Sequence, residues 1–285
     1  RLEQLYRQAT EFLLDKFTET LTARRPIARF RAFYPELRIT STSHAKADSR
    51  LAYGYVSHPG TYAATITRPD LFRNYLTQQL GLVMRNHGVA VQVGLSSTPM
   101  PVHFALTAMP SISVPQEGVL DFSLRDVFDV PSLASMDDGI VNGTAGPNPD
   151  GSGHLAPFTA QRVDYSLARL SHYTATAPEH FQNFVLFTNY QFYVDEFETL
   201  ARRALADPDA GYTGFVGPGN VEITTADQPL ATPPKLPQMP TYHLKRADGQ
   251  GITLVNIGIG PSNAKTATDH IAVLRPHAWL MVGHC

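Results

Sequence analysis

Ile252-Thr253-Leu254-Val255-Asn256-Ile257, Gly258-Ile259-Gly260-Pro261-Ser262-Asn263, the stretch Ala264 to Leu274, and Ala278-Trp279-Leu280-Met281-Val282 follow one another near the end of the chain. The first and last are short apolar runs rich in β-branched and large side chains, the second is a glycine-proline turn, and the third has helical spacing. A helix between two strands carries the chain back to the starting edge, so the two strands run parallel. This βαβ unit decides the fold class: α/β.

Working outward, Phe184 to Phe187 is a second apolar strand, and Phe192 to Ala206 has the stripe of a helix. A proline-rich extended passage, clearest from Pro229 to Pro240, separates it from the βαβ unit. At the other end Leu2, Leu5, Tyr6, Ala9, Phe12, Leu13, Phe17 and Leu21 form one apolar stripe, ended by Arg24-Arg25-Pro26. A β region follows: Arg38 to Thr40, Leu51 to Val56, and Tyr62 to Thr67 after a Pro59-Gly60 turn. Pro69 opens a helix carrying Leu71, Phe72, Tyr75, Leu76, Leu80 and Val83, and Asn86-His87-Gly88 stops it. Val89, Val91, Val93 and Leu95 alternate as a strand, and Val102 to Leu106 reads as another. Residues 137–157, with five glycines and three prolines, form a long loop of the kind that is functional or disordered. Val163, Leu167 and Leu170 then resume a helix. The expected division is an α+β domain over 1–175 and an α/β domain over 176–285.

Composition excludes several classes. With 23 basic against 25 acidic side chains and a net charge of -2, the chain has no basic field for a nucleic-acid backbone. A single cysteine, Cys285, permits no internal disulfide and fits a reducing compartment. No apolar run reaches the ~18 residues of a membrane span. Together these predict a cytoplasmic protein without membrane or nucleic-acid partners.

The Gly258 to Asn263 turn lies where open α/β sheets bind ligands. It is neither a dinucleotide fingerprint, lacking the third glycine, nor a P-loop, since Ala264 precedes Lys265-Thr266. A tight turn holding no ligand is the alternative. Thr188-Asn189-Tyr190-Gln191 also hands a strand to a helix, and two such turns on adjacent parallel strands share one crevice; a plain capping segment is the alternative. His270, His277 and His284 recur every seven residues, but Pro276 breaks the helix between them and no metal-ligand spacing exists, so no metal site is expected. No G-x-S-x-G elbow is present. Cys285 reads as a packed thiol. Arg50, His58, Tyr62 and Arg68 gather in sequence around the Pro59-Gly60 turn and could hold an anion, or they are solvated surface side chains.

Longer runs carry a resemblance. Thr253 to Thr266, Leu274 to Cys285 and Phe184 to Gln191, with Tyr53 to Val56, Pro59 to Tyr62 and Thr67 to Phe72, closely resemble the bacterial AMP nucleosidase family across essentially the whole chain. The resemblance implies a family-specific, regulatory amino-terminal domain joined to the first part of a nucleoside phosphorylase-like catalytic domain, three-layered with a mostly parallel sheet. It implies hydrolysis of AMP to adenine and ribose 5-phosphate, no cofactor, ATP and phosphate as effectors, and a homohexamer. Phosphorylases of the wider superfamily bind the attacking phosphate with two arginines, and those positions fall near Tyr193 and on Met281. Neither residue can pair with a dianion as a guanidinium does, which points to water as nucleophile. Asn189, Tyr190 and Gln191 are then expected on the ribose and water side, and Gly283 and His284 at the crevice floor. The group protonating the leaving adenine is expected beyond Cys285, so the catalytic residues are not assigned and this chain alone is expected to be inactive. A phosphate-dependent phosphorylase and a noncatalytic nucleotide sensor are the alternatives.

Overall fold

The computed structural model describes residues 1–23, 28–42, 54–107 and 122–284. The chain divides into two compact units, Arg1–Tyr165 and Ser166–Cys285.

In the first unit, helix α1 (Leu2–Ala23) buries Tyr6, Ala9, Leu13, Leu14 and Phe17, the three-and-four stripe of its sequence. These pack with Tyr34, Met100, Val102, Ala105 and Phe128 into one core. The sheet of this unit has the order β3-β1-β2-β4, with β1 (Phe33–Ser41) antiparallel to β2 (Gly60–Thr65) and to β3 (Gln92–Pro99). Helix α2 (Arg73–His87) ends at Gly88, whose φ of 62° is the left-handed conformation that closes a helix, with its N–H donating to Met84 O at 2.9 Å.

Two expectations in this unit are corrected. Val102–Thr107 is a helix, α3, and not a strand. A short, mostly apolar stretch of five residues suits either element, and Pro101, whose carbonyl accepts from Phe104 N–H at 3.0 Å, is pre-set for a first helical turn. Leu51 to Val56 lies partly outside the described residues, and Gly54 to Val56 is turn and irregular chain. After a short helix α4 (Leu124–Val127), the glycine- and proline-rich stretch is folded by its own turns. Asp150 Oδ1 accepts from Ser152 N–H and Oγ–H, Asp138 holds the Arg162 guanidinium at 2.8 Å, and β4 (Gly153–His154) adds a parallel strand beside β2.

Helix α5 (Ala160–Thr174) contains the division between the units. The second unit is a six-stranded sheet of order β10-β5-β9-β8-β6-β7. Strands β5 (Phe184–Thr188), β9 (Ile252–Asn256) and β10 (Ala278–Met281) are mutually parallel. The crossover from β9 through α7 (Pro261–Ile271) reaches β10 on the far side of β5. The α/β class holds, but the sheet is mixed instead of mostly parallel. The antiparallel strands β6 (Gly214–Gly217), β7 (Val221–Ile223) and β8 (Thr241–Lys245) extend it where the sequence reads as proline-rich chain. Side chains alternate between two apolar layers. Leu254 meets Val194, Phe197 and Ala201 of α6 (Gln191–Ala206), whereas Val185, Phe187 and Val255 meet Ala267 and Ile271 of α7. Helices thus cover both faces. Strand β10 is the sheet edge, and all four of its residues are exposed.

Candidate functional site

Three strand ends meet on one side of the second unit. β5 finishes on Thr188, fully buried, whose Oγ1 accepts from Tyr190 N–H at 3.2 Å and whose carbonyl accepts from Ile257 N–H at 2.8 Å. Val282 N–H donates to Phe187 O at 2.8 Å, so the chain leaving β10 stays beside β5. Beyond β9, Gly258 and Gly260 have φ of 63° and 114°, conformations that side chains resist, and together they turn the strand into α7. Asn256 Oδ1 accepts from Gly258 N–H at 3.1 Å, and Asn263 Nδ2 donates to Ile257 O at 3.0 Å, which fixes that turn. Neither α6 nor α7 has a side-chain cap. The first turn of each keeps backbone N–H groups that favour an anion or a polar ligand atom.

Four of the five residues expected on the ligand side come together here. The ring of Tyr190 lies 5.2 Å from that of His284, and a Cβ on Gly283 would stand 3.6 Å from Tyr190 Cε2 and 4.0 Å from Asn189 Oδ1. Gln191 is adjacent in chain but its amide turns away, donating to Asp195 at 2.8 Å. Two aromatics complete a cluster that the site expectation omitted. Tyr193 lies 5.3 Å from His284, and Phe192 lies 5.4 Å from Tyr193 and 6.2 Å from His284. Tyr190 and Tyr193 are three apart at the start of a helix, a spacing that places them on one face and could have been read from sequence. Of the two residues singled out against phosphate binding, the Tyr193 ring is packed against His284 and Met281 is exposed. Asn189 Oδ1 is shut off from solvent and accepts no hydrogen bond among the described residues. An unsatisfied buried acceptor costs ~1–3 kcal/mol.

The expected anion group of the first unit does not assemble. Tyr62 donates to His58 O at 2.8 Å and its ring covers Gly153, so these two belong to a packed turn. Arg68 sits past the opposite end of β2, where Asp70 takes its guanidinium at 2.8 Å. Arg50 lies outside the described residues, as does Cys285. A cavity of about 480 Å³ lies instead on the outer face of the sheet, lined by Glu36, Arg38, Ser97, Thr98, Asp150 and His154 among others. Arg38 is held there between Glu36 at 2.9 Å and Asp150 at 2.5 Å, and the Ser152 hydroxyl, followed by Arg38, draws the Asp150 carboxyl far below its usual range.

Other titratable groups are structural. Burial pushes Asp164 up from the ordinary 3.8 to about 7, although Thr67 and Tyr34 each donate to it at 2.6 Å. His243, fully buried between the hydroxyls of Thr253 and Thr176, is held neutral by the same desolvation. His270 pairs with Ser166 at 3.0 Å. Among the described residues no three His, Cys, Asp or Glu side chains gather as a metal site, and no helix is long and apolar enough to cross a membrane.

Comparison with known proteins gives a consistent picture. Residues 1–152 match the family model "AMNp_N: Bacterial AMP nucleoside phosphorylase N-terminus". Over 260 residues the chain is 44% identical to AMP nucleosidase of Escherichia coli (strain K12), covering 88% of this chain and 52% of that protein. It matches AMP nucleosidase of Escherichia coli O157:H7 with the same figures. The chain therefore spans about half the length of the curated relatives it matches. A crystal structure of AMP nucleosidase from Bacteroides thetaiotaomicron VPI-5482 overlays 43% of this chain and 40% of that chain at 21% identity and a TM-score of 0.28, too loose for a structural comparison.

Proposed function

Because the chain belongs to the AMP nucleosidase family, through the domain at residues 1–152, we propose that the protein hydrolyses the N-glycosidic bond of AMP to adenine and ribose 5-phosphate. The observation that carries this reading is the 44% identity over 88% of the chain, which extends well past the amino-terminal unit into the second.

The chemistry needs an oxocarbenium-like ribosyl centre to be stabilised, a water to be positioned, and the departing adenine to be protonated. The strand-end crevice supports the first two needs. In this reading Asn189 and Tyr190 serve its ribose and water side, and Gly283 and His284 form its floor. Gln191, turned toward Asp195, supports them from the start of α6. Aromatic and thioether side chains at the two positions of the phosphate-binding arginines favour a neutral nucleophile over a dianion. The amino-terminal unit is the proposed seat of regulation by ATP and phosphate, and the working assembly a homohexamer in the cytoplasm.

Adenine release from AMP by the intact protein tests the reading. Release in phosphate-free buffer is expected. No release with or without phosphate would overturn the proposal, and release only with phosphate would make the protein a phosphorylase.

A further inference from the structure

The long glycine- and proline-rich loop over 137–157 roofs the cavity of about 480 Å³ on the outer face of the first unit's sheet. The roof is held by its own contacts. Asn148 Nδ2 donates to Ser152 Oγ at 3.0 Å and to Gly153 O at 3.1 Å, and His154 Nε2–H donates to Gly146 O at 2.7 Å. Asp138 fixes Arg162, whose guanidinium lies 5.7 Å from the centre of the Phe158 ring. The cavity is thus built into the fold and has the size of a small-molecule site. A bulge shapes one of its walls. Phe33 pairs with Pro99 and Pro35 with Leu95, so Ser96, Ser97 and Thr98 stand opposite Tyr34 alone. Ser96 Oγ takes up the bulge, donating to Tyr34 O at 2.9 Å and accepting from Thr98 N–H at 3.1 Å. The Ser97 and Thr98 side chains line the cavity, and their hydroxyls hold no hydrogen bond among the described residues.

Each wall sets a requirement on the occupant. Glu36 and Asp150 share one guanidinium, that of Arg38. A phosphate entering here would face both carboxylates and compete for a cation that they already hold, and an organic cation would compete with Arg38 for them. An uncharged ligand avoids both costs. The Ser97 and Thr98 hydroxyls, each a donor and an acceptor, suit hydroxyls on the ligand. Ile140, Ala156 and Phe158 supply apolar surface for a flat ring. A hydroxylated part and an uncharged flat ring in one molecule describe a nucleoside. We infer that this cavity binds an uncharged nucleoside and rejects nucleotides. The inference does not depend on the reading that the protein hydrolyses AMP, which supplies only the choice of adenosine as the probe. ATP and phosphate would then act elsewhere on the amino-terminal unit.

Titration calorimetry of the intact protein with adenosine, AMP, inorganic phosphate and putrescine tests this. Adenosine is expected to bind. Ser97→Trp, at an exposed position of the bulge, puts an indole into the cavity and should remove that binding event. Paired Ser97→Ala and Thr98→Ala substitutions leave the cavity open and should weaken it about tenfold, which keeps the test decisive where the tryptophan disturbs folding. Heats with AMP and phosphate should be the same for wild type and both variants. Absence of adenosine binding overturns the inference, and so does adenosine bound equally by wild type and the alanine pair. AMP or phosphate binding that weakens in the variants would make the cavity an anion site, and putrescine binding that weakens would make it a cation site; either result overturns the inference. Because the readout is binding, a failure to release adenine from AMP bears on the functional reading alone.

Discussion

Asp164 is the clearest case of one residue whose surroundings set its chemistry. It lies buried between Tyr34 and Thr67, which both donate to it, and burial nonetheless raises its carboxyl to about 7. A folded-state value above the unfolded one means that the protonated form belongs to the fold. Its contribution to stability is therefore complete below about pH 4 and is lost as pH rises toward 7, at a slope of at most about 1.4 kcal/mol per unit. Asp164→Asn stays neutral throughout. The difference in melting temperature between variant and wild type should move in the variant's favour from pH 5 to pH 8, as read by thermal unfolding. A constant difference across that range would contradict the burial argument. None of this was legible in the sequence, because Tyr34, Thr67 and Asp164 are far apart in it and nothing local marks them as partners.

At the scale of elements, periodicity and punctuation carried the reading a long way. The stripes of α1, α2, α5 and α6, the Gly88 stop and the β9-α7-β10 crossover are all visible in spacing and in glycine and proline positions. Strand β8 was not, because its buried residues include the polar Thr241 and His243, satisfied by contacts made on folding, and β6 was not, because it offers only Phe215 and Val216 between two glycines. The same sheet extension contains a tight passage. A Cβ on Gly251, just before β9, would stand 2.1 Å from Leu244 O and 2.6 Å from Gln182 Oε1, the oxygen that accepts from both Arg246 and Gly251 N–H. Gly251→Ala should therefore cost about 1–3 kcal/mol or more. Gly94→Ala, where nothing lies within 4 Å, should not suffer a clash. Urea unfolding midpoints check both. Equal midpoints for Gly251→Ala and wild type would show that the β8-β9 turn yields where the geometry says it cannot.

For the molecule as a whole, α/β architecture and family were legible from the βαβ run and the long motifs around it. The sequence reading did not foresee that Phe192 and Tyr193 would join Tyr190 and His284 in one ring cluster, since that depends on the parallel pairing of β10 with β5. Nor did it foresee that Arg68 would be occupied by Asp70. The central claim is that water, and not phosphate, attacks C1′ in a crevice where aromatic and thioether side chains replace guanidinium groups. The most direct test is the identity of the sugar product when the intact protein turns over AMP in excess inorganic phosphate. Ribose 5-phosphate, a reducing sugar formed in equal amount to adenine, is the predicted product. Ribose 1,5-bisphosphate as the main product would contradict the account.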